Sequence, residues 1–295
     1  MNSYTRRNLT KVMAEKALLS ESLRNLNKTT WYRVDKEDLK QEVFEKFIEM
    51  APDTDTERFL VDSTEQSDRL FTQIWQSAVS SVLNAFMTKT SINGLLRRGS
   101  MFVFSTAQIR KLLNLTYFAS GSSLIDLGAG DGATTDKYMP LVNHIYVTEK
   151  SGPMIRILSK KGFRLLDADL WWNHEEKFDI VSCLNLLDRC SDPMDLLDNI
   201  KNSLKPNGRV VIALVLPYKP FDEFKSVVPE EKLPITGDSF EEQVTSTIEN
   251  VFEPAGFNVL CWTKLPYLCE GDLSQDYYWL NDAVFILSVP QIKTT

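Results

Sequence analysis

Asp126, Gly128, Gly130 and Gly132 stand at alternate positions just beyond the apolar run Ser123-Leu124-Ile125. Glycine at that spacing lets a chain turn sharply and lets a ligand press against bare main chain. A second strand-like run, His144 to Thr148, ends in Glu149. An acid at the tip of such a strand can accept both hydroxyls of a ribose. The spacing also separates two kinds of nucleoside ligand. A dinucleotide fingerprint is G-x-G-x-x-G, with a helix N-terminus aimed at pyrophosphate. Here the pattern is G-x-G-x-G, with the carboxylate of Asp126 beside the turn. That carboxylate repels pyrophosphate and suits a cationic amino-acid group. The expected cofactor is therefore S-adenosyl-L-methionine, its methionine end cradled by Asp126, Gly128, Gly130 and Gly132. The plainer alternative is a generic tight turn after a strand.

Three later stretches can complete such a site. Asp167-Ala168-Asp169-Leu170 follows the third strand-like run, and Asp169, with Leu170 beside it, can take the adenine amine; the alternative is a surface loop. Trp171 and Trp172 either cover that adenine or cap the sheet. The segment Cys183 to Cys190 follows the fourth run, at the crevice where substrates meet cofactors in open α/β sheets. It lacks an Asn-Pro-Pro-Tyr motif for amide or adenine amines and offers Asn185 and Asp188 instead. A carboxylate beside a sulfonium balances its charge or orients a nucleophile; otherwise it caps a helix or pairs with Arg189. The late segment Leu265 to Asp272, leading to Asp276-Tyr277-Tyr278-Trp279, is acidic and aromatic. Its tyrosines can wall a substrate pocket, or pack as cross-strand pairs in a hairpin. His144 and His174 have no partners at ligand or triad spacing, and Cys183, Cys190, Cys261 and Cys269 form no C-x-x-C pair. No metal site and four reduced thiols are expected.

The elements that must position these residues fall into two regions. Residues 1–120 read as an N-terminal helical lobe, with apolar residues at helical spacing over 36–50 and 65–90, a break at 52–56, and a helix over 106–114. Residues 121–295 read as a methyltransferase domain. Strands are expected at 123–127, 144–149, 163–167, 178–183, 209–216, 256–265 and 283–289, and helices at 134–139, 152–161, 194–204 and 239–254. Short apolar strands with helical crossovers mean a parallel sheet covered on both faces. The loop 266–281 is too short for a parallel crossover, so the last strand should run antiparallel. The expected fold is α/β: a seven-stranded, Rossmann-like class I S-adenosyl-L-methionine-dependent methyltransferase core with a helical lobe before it. The chain has 295 residues and a net charge of −7. That balance argues against a duplex nucleic acid and suits a neutral or basic peptide. Neither a run of eighteen apolar residues nor a signal-like N-terminus is present, so no membrane span, a cytoplasmic location and a monomer are expected.

Several long and unusual blocks resemble the DREV family, that of methyltransferase-like protein nine. They are Ser91 to Leu96 with Arg98 to Ser105, Asp126 to Gly132, Ser182 to Cys190, Ala213 to Pro217, and Leu265 to Asp272 with Asp276-Tyr277-Tyr278. The likeness runs from about Trp31 to Val289. It implies a protein-histidine methyltransferase that transfers a methyl group from S-adenosyl-L-methionine to the pros nitrogen, Nδ1, of histidine in His-x-His motifs with x small. Zinc-binding proteins and transporters are the implied substrates. The resemblance puts Glu149 on the ribose, Asn185 where cofactor and substrate meet, Asp188 on the target imidazole, and Tyr267 and Tyr278 in the site. The chain departs from the family pattern by lacking the apolar N-terminal segment of some members, which sets endoplasmic reticulum or mitochondrion against the cytoplasm. It also diverges over Pro217 to Asp238, which bears on peptide selection. Two other readings compete: a methyltransferase for a small molecule or RNA, and an inactive adaptor that binds the cofactor.

Overall fold

The computed structural model describes residues 3–83, 88–114, 121–219 and 232–290. Its strands are β1 (Met101–Phe102), β2 (Ser123–Leu127), β3 (His144–Thr148), β4 (Arg164–Leu165), β5 (Phe178–Leu184), β6 (Leu204–Val215), β7 (Asn258–Glu270) and β8 (Tyr277–Ser288). They form one sheet in the order β1-β7-β8-β6-β5-β2-β3-β4. Side chains alternate across it, as the two-residue pleat demands. Ile125, Leu127, Val181, Cys183, Ile212, Leu214 and Phe285 enter one apolar cluster. Their neighbours Leu124, Ile180, Val211, Ala213, Val284 and Ile286 enter the other. Full burial of a side chain of this kind stabilises by roughly 1.5–3 kcal/mol.

The helices are α1 (Ser3–Asn25), α2 (Gln41–Phe44), α3 (Thr54–Ser67), α4 (Leu70–Leu83), α5 (Lys89–Leu96), α6 (Thr106–Leu112), α7 (Gly152–Lys161), α8 (Pro193–Asn202) and α9 (Phe240–Thr247). Local chemistry starts them. Ser105 with Gln108 and Ser239 with Glu242 form reciprocal capping boxes on α6 and α9. Asp192 caps α8 ahead of Pro193. Leu197 and Ile200 of α8 and Val244 of α9 cover one face of the sheet. Leu23, Leu60, Ile109 and Leu112 from the N-terminal helices cover the other.

The parallel pairing of β2 with β3 and β5 and the antiparallel run of β8 against β6 and β7 follow the expectation. The strand count does not: the sheet has eight strands, because Met101–Phe102 pairs antiparallel with Leu268–Cys269 at its edge. The Glu270 carboxylate accepts from the Ser100 backbone N–H at 3.1 Å and continues that pairing. The helix expected over 36–50 is only α2, because Trp262 of β7 exchanges backbone bonds with Lys46 and Ile48. Phe47 lies against its ring with centroids 4.8 Å apart. The break expected at 52–56 instead starts α3, through Asp53 capping Thr56. The 65–90 helix is divided at Asp68 and Arg69, and its residues 84–87 lie outside the described residues. So do residues 220–231 of the divergent Pro217–Asp238 segment. The 134–139 segment closes as a tighter turn, Thr135–Tyr138. β7 and β8 both run further than their apolar stretches, which leaves a connection of residues 271–276.

Candidate functional site

The parallel strands β2, β3 and β5 end on one edge of the sheet, and the site is built there. The loop after β2 turns through Gly128, Gly130 and Gly132, all at positive φ. At Gly130, with φ +57°, nothing lies within 4 Å of where a side chain would begin, so the backbone face is bare. Gly132 is different: with φ +75°, a Cβ there would meet Leu158 at 2.9 Å and Phe163 at 3.0 Å. Gly132 therefore lets the loop close onto α7. Glu149 follows β3 and ties the two loops together. One of its oxygens accepts from the Gly130 N–H at 2.9 Å, and the other from Lys150 and Ser151, each at 2.8 Å. The N-terminal region braces this arrangement, since Ser91 of α5 meets Ser151, Oγ to Oγ, at 3.1 Å. Arg98 is not a free charge; it donates to Asn93 and to Ser80, which joins α5 to α4.

Asp126 is buried under the turn, where Thr135 Oγ1 donates to it at 2.6 Å. Burial raises its carboxyl to about 6, against the Thr135 and Ser182 hydrogen bonds. Asp169 and Leu170 lie at the surface, and Asp169 pairs with Lys150 at 2.7 Å. Trp171 belongs to the core, with Trp172 edge-on against it.

Beyond β5 the chain leaves the sheet through Asn185, at φ +51°, a conformation that asparagine tolerates better than most residues. Its N–H still bonds to Ala213 of β6 at 2.9 Å. Its side-chain Nδ2 donates to Asp282 Oδ2 at 2.8 Å. Asp282 arrives here because β8 runs antiparallel, so that its early residues lie beside the end of β6. Asp188 is held in the same neighbourhood, 8% exposed, with Oδ2 3.8 Å from Arg189 Nε. Among the described residues, Asn185 Oδ1, Asp188 Oδ1 and Asp282 Oδ1 are buried without a hydrogen-bond partner. Burial raises the Asp188 carboxyl while Arg189 draws it back. Burial raises Asp282 to about 8; Asp188 adds to the rise, and the Asn185 bond opposes it. Tyr267 of β7, buried, contacts the Met101 sulfur and feels the charges of Asp188, Asp282 and Arg189. Tyr278 is exposed and gives its hydroxyl to Asp272 at 3.0 Å. Its neighbours Tyr277 and Trp279 pack on Trp31.

The structure thus brings Asn185, Asp188 and Tyr267 into one electrostatic neighbourhood and joins Gly130 to Glu149. Tyr278 bonds elsewhere. Sequence reasoning missed Asp282, whose only signal was an acid at the entrance of the apolar run Ala283 to Val289. The bare Gly130 face, the anchored Glu149 and the open acceptor of Asn185 fit an adenosine carrying a cationic amino-acid group.

A family model described as DREV methyltransferase matches residues 31–289. The chain belongs to the DREV methyltransferase family. It is a methyltransferase, and S-adenosyl-L-methionine is its cofactor. Among curated proteins the DREV chain is similar to the mitochondrial ubiquinone biosynthesis O-methyltransferase of Schizosaccharomyces pombe, 28% identical over 107 residues. That match takes in 32% of this chain and 39% of the relative, so the chain spans about two fifths of the length of the curated relative it matches. Among solved structures it is similar to the glycopeptide N-methyltransferase MtfA complexed with S-adenosyl-L-methionine, at 14% identity, covering 63% of this chain and 88% of that one, with a TM-score of 0.42. It is also similar to the N-methyltransferase NodS of Bradyrhizobium japonicum WM9 in complex with S-adenosyl-L-homocysteine, at 16% identity, 63% and 86% coverage and a TM-score of 0.41. No helix among the described residues is long and apolar enough to cross a membrane.

Proposed function

We propose that this DREV methyltransferase methylates proteins on histidine, at Nδ1 of His-x-His motifs with x small. The observation that carries the reading is Asp188, buried a few residues beyond β5 with an unpartnered carboxylate oxygen. Methyl transfer to an imidazole needs no strong base, because free histidine titrates near 6.5 and is mostly neutral at pH 7. It does need the right tautomer. Nδ1 presents a lone pair only when the proton sits on Nε2. A carboxylate facing Nε2–H holds that proton in place and offsets the positive charge that grows on the ring. Burial strengthens both effects, since little water competes for the carboxylate.

When bound, the cofactor supplies a methyl carbon activated by an adjacent sulfonium. The chain's own residues do the rest by position. Glu149 and the Gly130 backbone would hold the ribose and the amino-acid end, Asp126 lies under the turn, Asp169 and Leu170 border the adenine, and Asn185 and Tyr267 stand between donor and acceptor. Tyr278, at the rim with Asp272, would meet the peptide rather than the ring. The net charge of −7 and the acids around the crevice favour neutral or basic peptides over nucleic acid. The protein partners are then His-x-His proteins, zinc-binding proteins or transporters among them.

The test is mass spectrometry of a His-Ala-His peptide after incubation with S-adenosyl-L-methionine, with fragmentation that separates the two ring nitrogens. A +14 Da product on Nδ1 is expected from the one added methylene. Pools of small molecules and RNA run alongside; methylation there with none of the peptide overturns the reading. Donor binding with no methylated product anywhere points to the adaptor instead.

A further inference from the structure

We infer that Asp282 is a positioning residue that clamps Asn185 by its Nδ2 end, so that the acceptor end of the carboxamide is presented to the ligands. The inference rests on the reading of the site given above and explains why its inner wall offers acceptors.

A carboxamide has two ends of nearly equal shape and opposite chemistry. The end that faces the cleft decides whether the site accepts hydrogen bonds or donates them. The Asn185 backbone does not settle this, since its N–H is already used on Ala213. Asp282 does settle it. Oδ2 of Asp282 faces Asn185 and accepts whether the carboxyl is ionised or carries its proton on Oδ1, so Nδ2 is drawn in, to 2.8 Å. With Nδ2 committed, Asn185 Oδ1 is left without a partner although the residue is 6% exposed. Asp188 Oδ1 and Asp282 Oδ1 share that condition. Asn185 Oδ1 and Asp188 Oδ1 are then buried acceptors that a ligand bearing N–H groups or positive charge would fill, and an anion would not. The charged and titratable groups around Asp282 are Asp188, Arg189, Tyr267 and Cys269. The Asn185 bond favours the ionised form of Asp282 against burial, so clamp and clamped residue stabilise one another.

Three variants, with Asn185→Asp alone as the reference for the third, separate this role from packing. Asp282→Leu keeps comparable bulk and removes the acceptor. Asp282→Asn keeps an acceptor oxygen of the same shape. Asn185→Asp combined with Asp282→Asn exchanges the pair, again leaving an oxygen toward the cleft. S-adenosyl-L-homocysteine binding is measured by calorimetry without peptide, beside thermal unfolding. Asp282→Leu should weaken binding about tenfold, as one misdirected buried hydrogen bond does, with unfolding temperature little changed. Asp282→Asn should recover most of that loss. The exchanged pair should bind about tenfold better than Asn185→Asp alone, in which two carboxylates face each other. A folded Asp282→Leu that binds like wild type overturns the inference. If Asp282→Leu does not fold, the exchange decides, and equal binding by Asn185→Asp with either residue at 282 overturns it. Loss of binding in these variants, in an enzyme that leaves His-Ala-His unmethylated, sinks the histidine reading and keeps the clamp. Methylation by the wild type with unmoved binding in the variants does the reverse.

Discussion

Both oxygens of the Glu149 carboxylate have backbone donors, three in all, whereas Asn185, Asp188 and Asp282 each keep a buried oxygen with none. On the proposed reading these are the two sides of one cleft, and they differ in how they were assembled. The Glu149 side is made from backbone N–H groups close in sequence and is complete before a ligand arrives. The Asp188 side brings together residues as far as 97 positions apart, in Asn185 and Asp282. An unpaired buried polar group costs about 1–3 kcal/mol. A fold that retains three of them at one place is keeping them for something that binds. The proposed function then divides the labour: one side supplies a preformed grip, and the other waits for a ligand to satisfy it.

The largest expected effect breaks the second side alone. Asp188→Asn should lower turnover on a His-Ala-His peptide about a hundredfold or more, the scale of removing one preorganised electrostatic partner of a transition state. Cofactor affinity, measured by calorimetry, should move little. If both fall together, the two sides are not separable. Glu149→Ala should do the opposite, weakening S-adenosyl-L-homocysteine about ten- to a hundredfold while turnover at saturating donor drops less. It leaves the N–H groups of Gly130, Lys150 and Ser151 without their charged acceptor. Gly132→Ala sharpens the claim that the grip is built into the backbone. Its φ of +75° and the contacts at 2.9 and 3.0 Å should lower stability by about 1–2 kcal/mol, read from the denaturation midpoint.

The same division explains what could be read from the sequence. The Glu149 side was legible because its chemistry is local: glycines at fixed spacing, an acid at a strand tip, and apolar runs that became β2, β3 and β5 within a residue or so. The antiparallel β8 was legible from the length of the loop before it. Asp282 was not, because the apolar run that marks the last strand starts at residue 283, six positions after β8 itself begins at Tyr277. Pairing with β7, from Leu265 against Asp282 to Glu270 against Tyr277, carries the strand back past it. The eighth strand was hidden for a related reason. Two residues, Met101 and Phe102, carry no periodicity, and their strand exists only because β7 offers them an edge. Likewise the 36–50 stretch has helical spacing, and tertiary contact with Trp262 overrides it after Phe44.

A pH series tests whether Asp282 is truly short of donors. Its ordinary value is 3.8, and in the folded protein burial holds it at about 8. Between those values the folded state binds the proton more tightly than the unfolded chain does, so raising the pH favours unfolding. Asp282→Asn has no such proton to lose. The stability of wild type relative to Asp282→Asn should therefore fall as pH rises from about 4 to about 8 and then level off, with a slope no steeper than about 1.4 kcal/mol per pH unit. Asp126, raised to about 6 by its own burial, is common to both proteins and cancels in the difference. Denaturant unfolding of the two proteins at matched pH values gives that difference directly. A flat difference across this range would mean that Asp282 is ionised throughout, already supplied with the donors that Glu149 has. The two sides of the cleft would then be equally complete, and the reason for assigning the waiting role to the second would be gone.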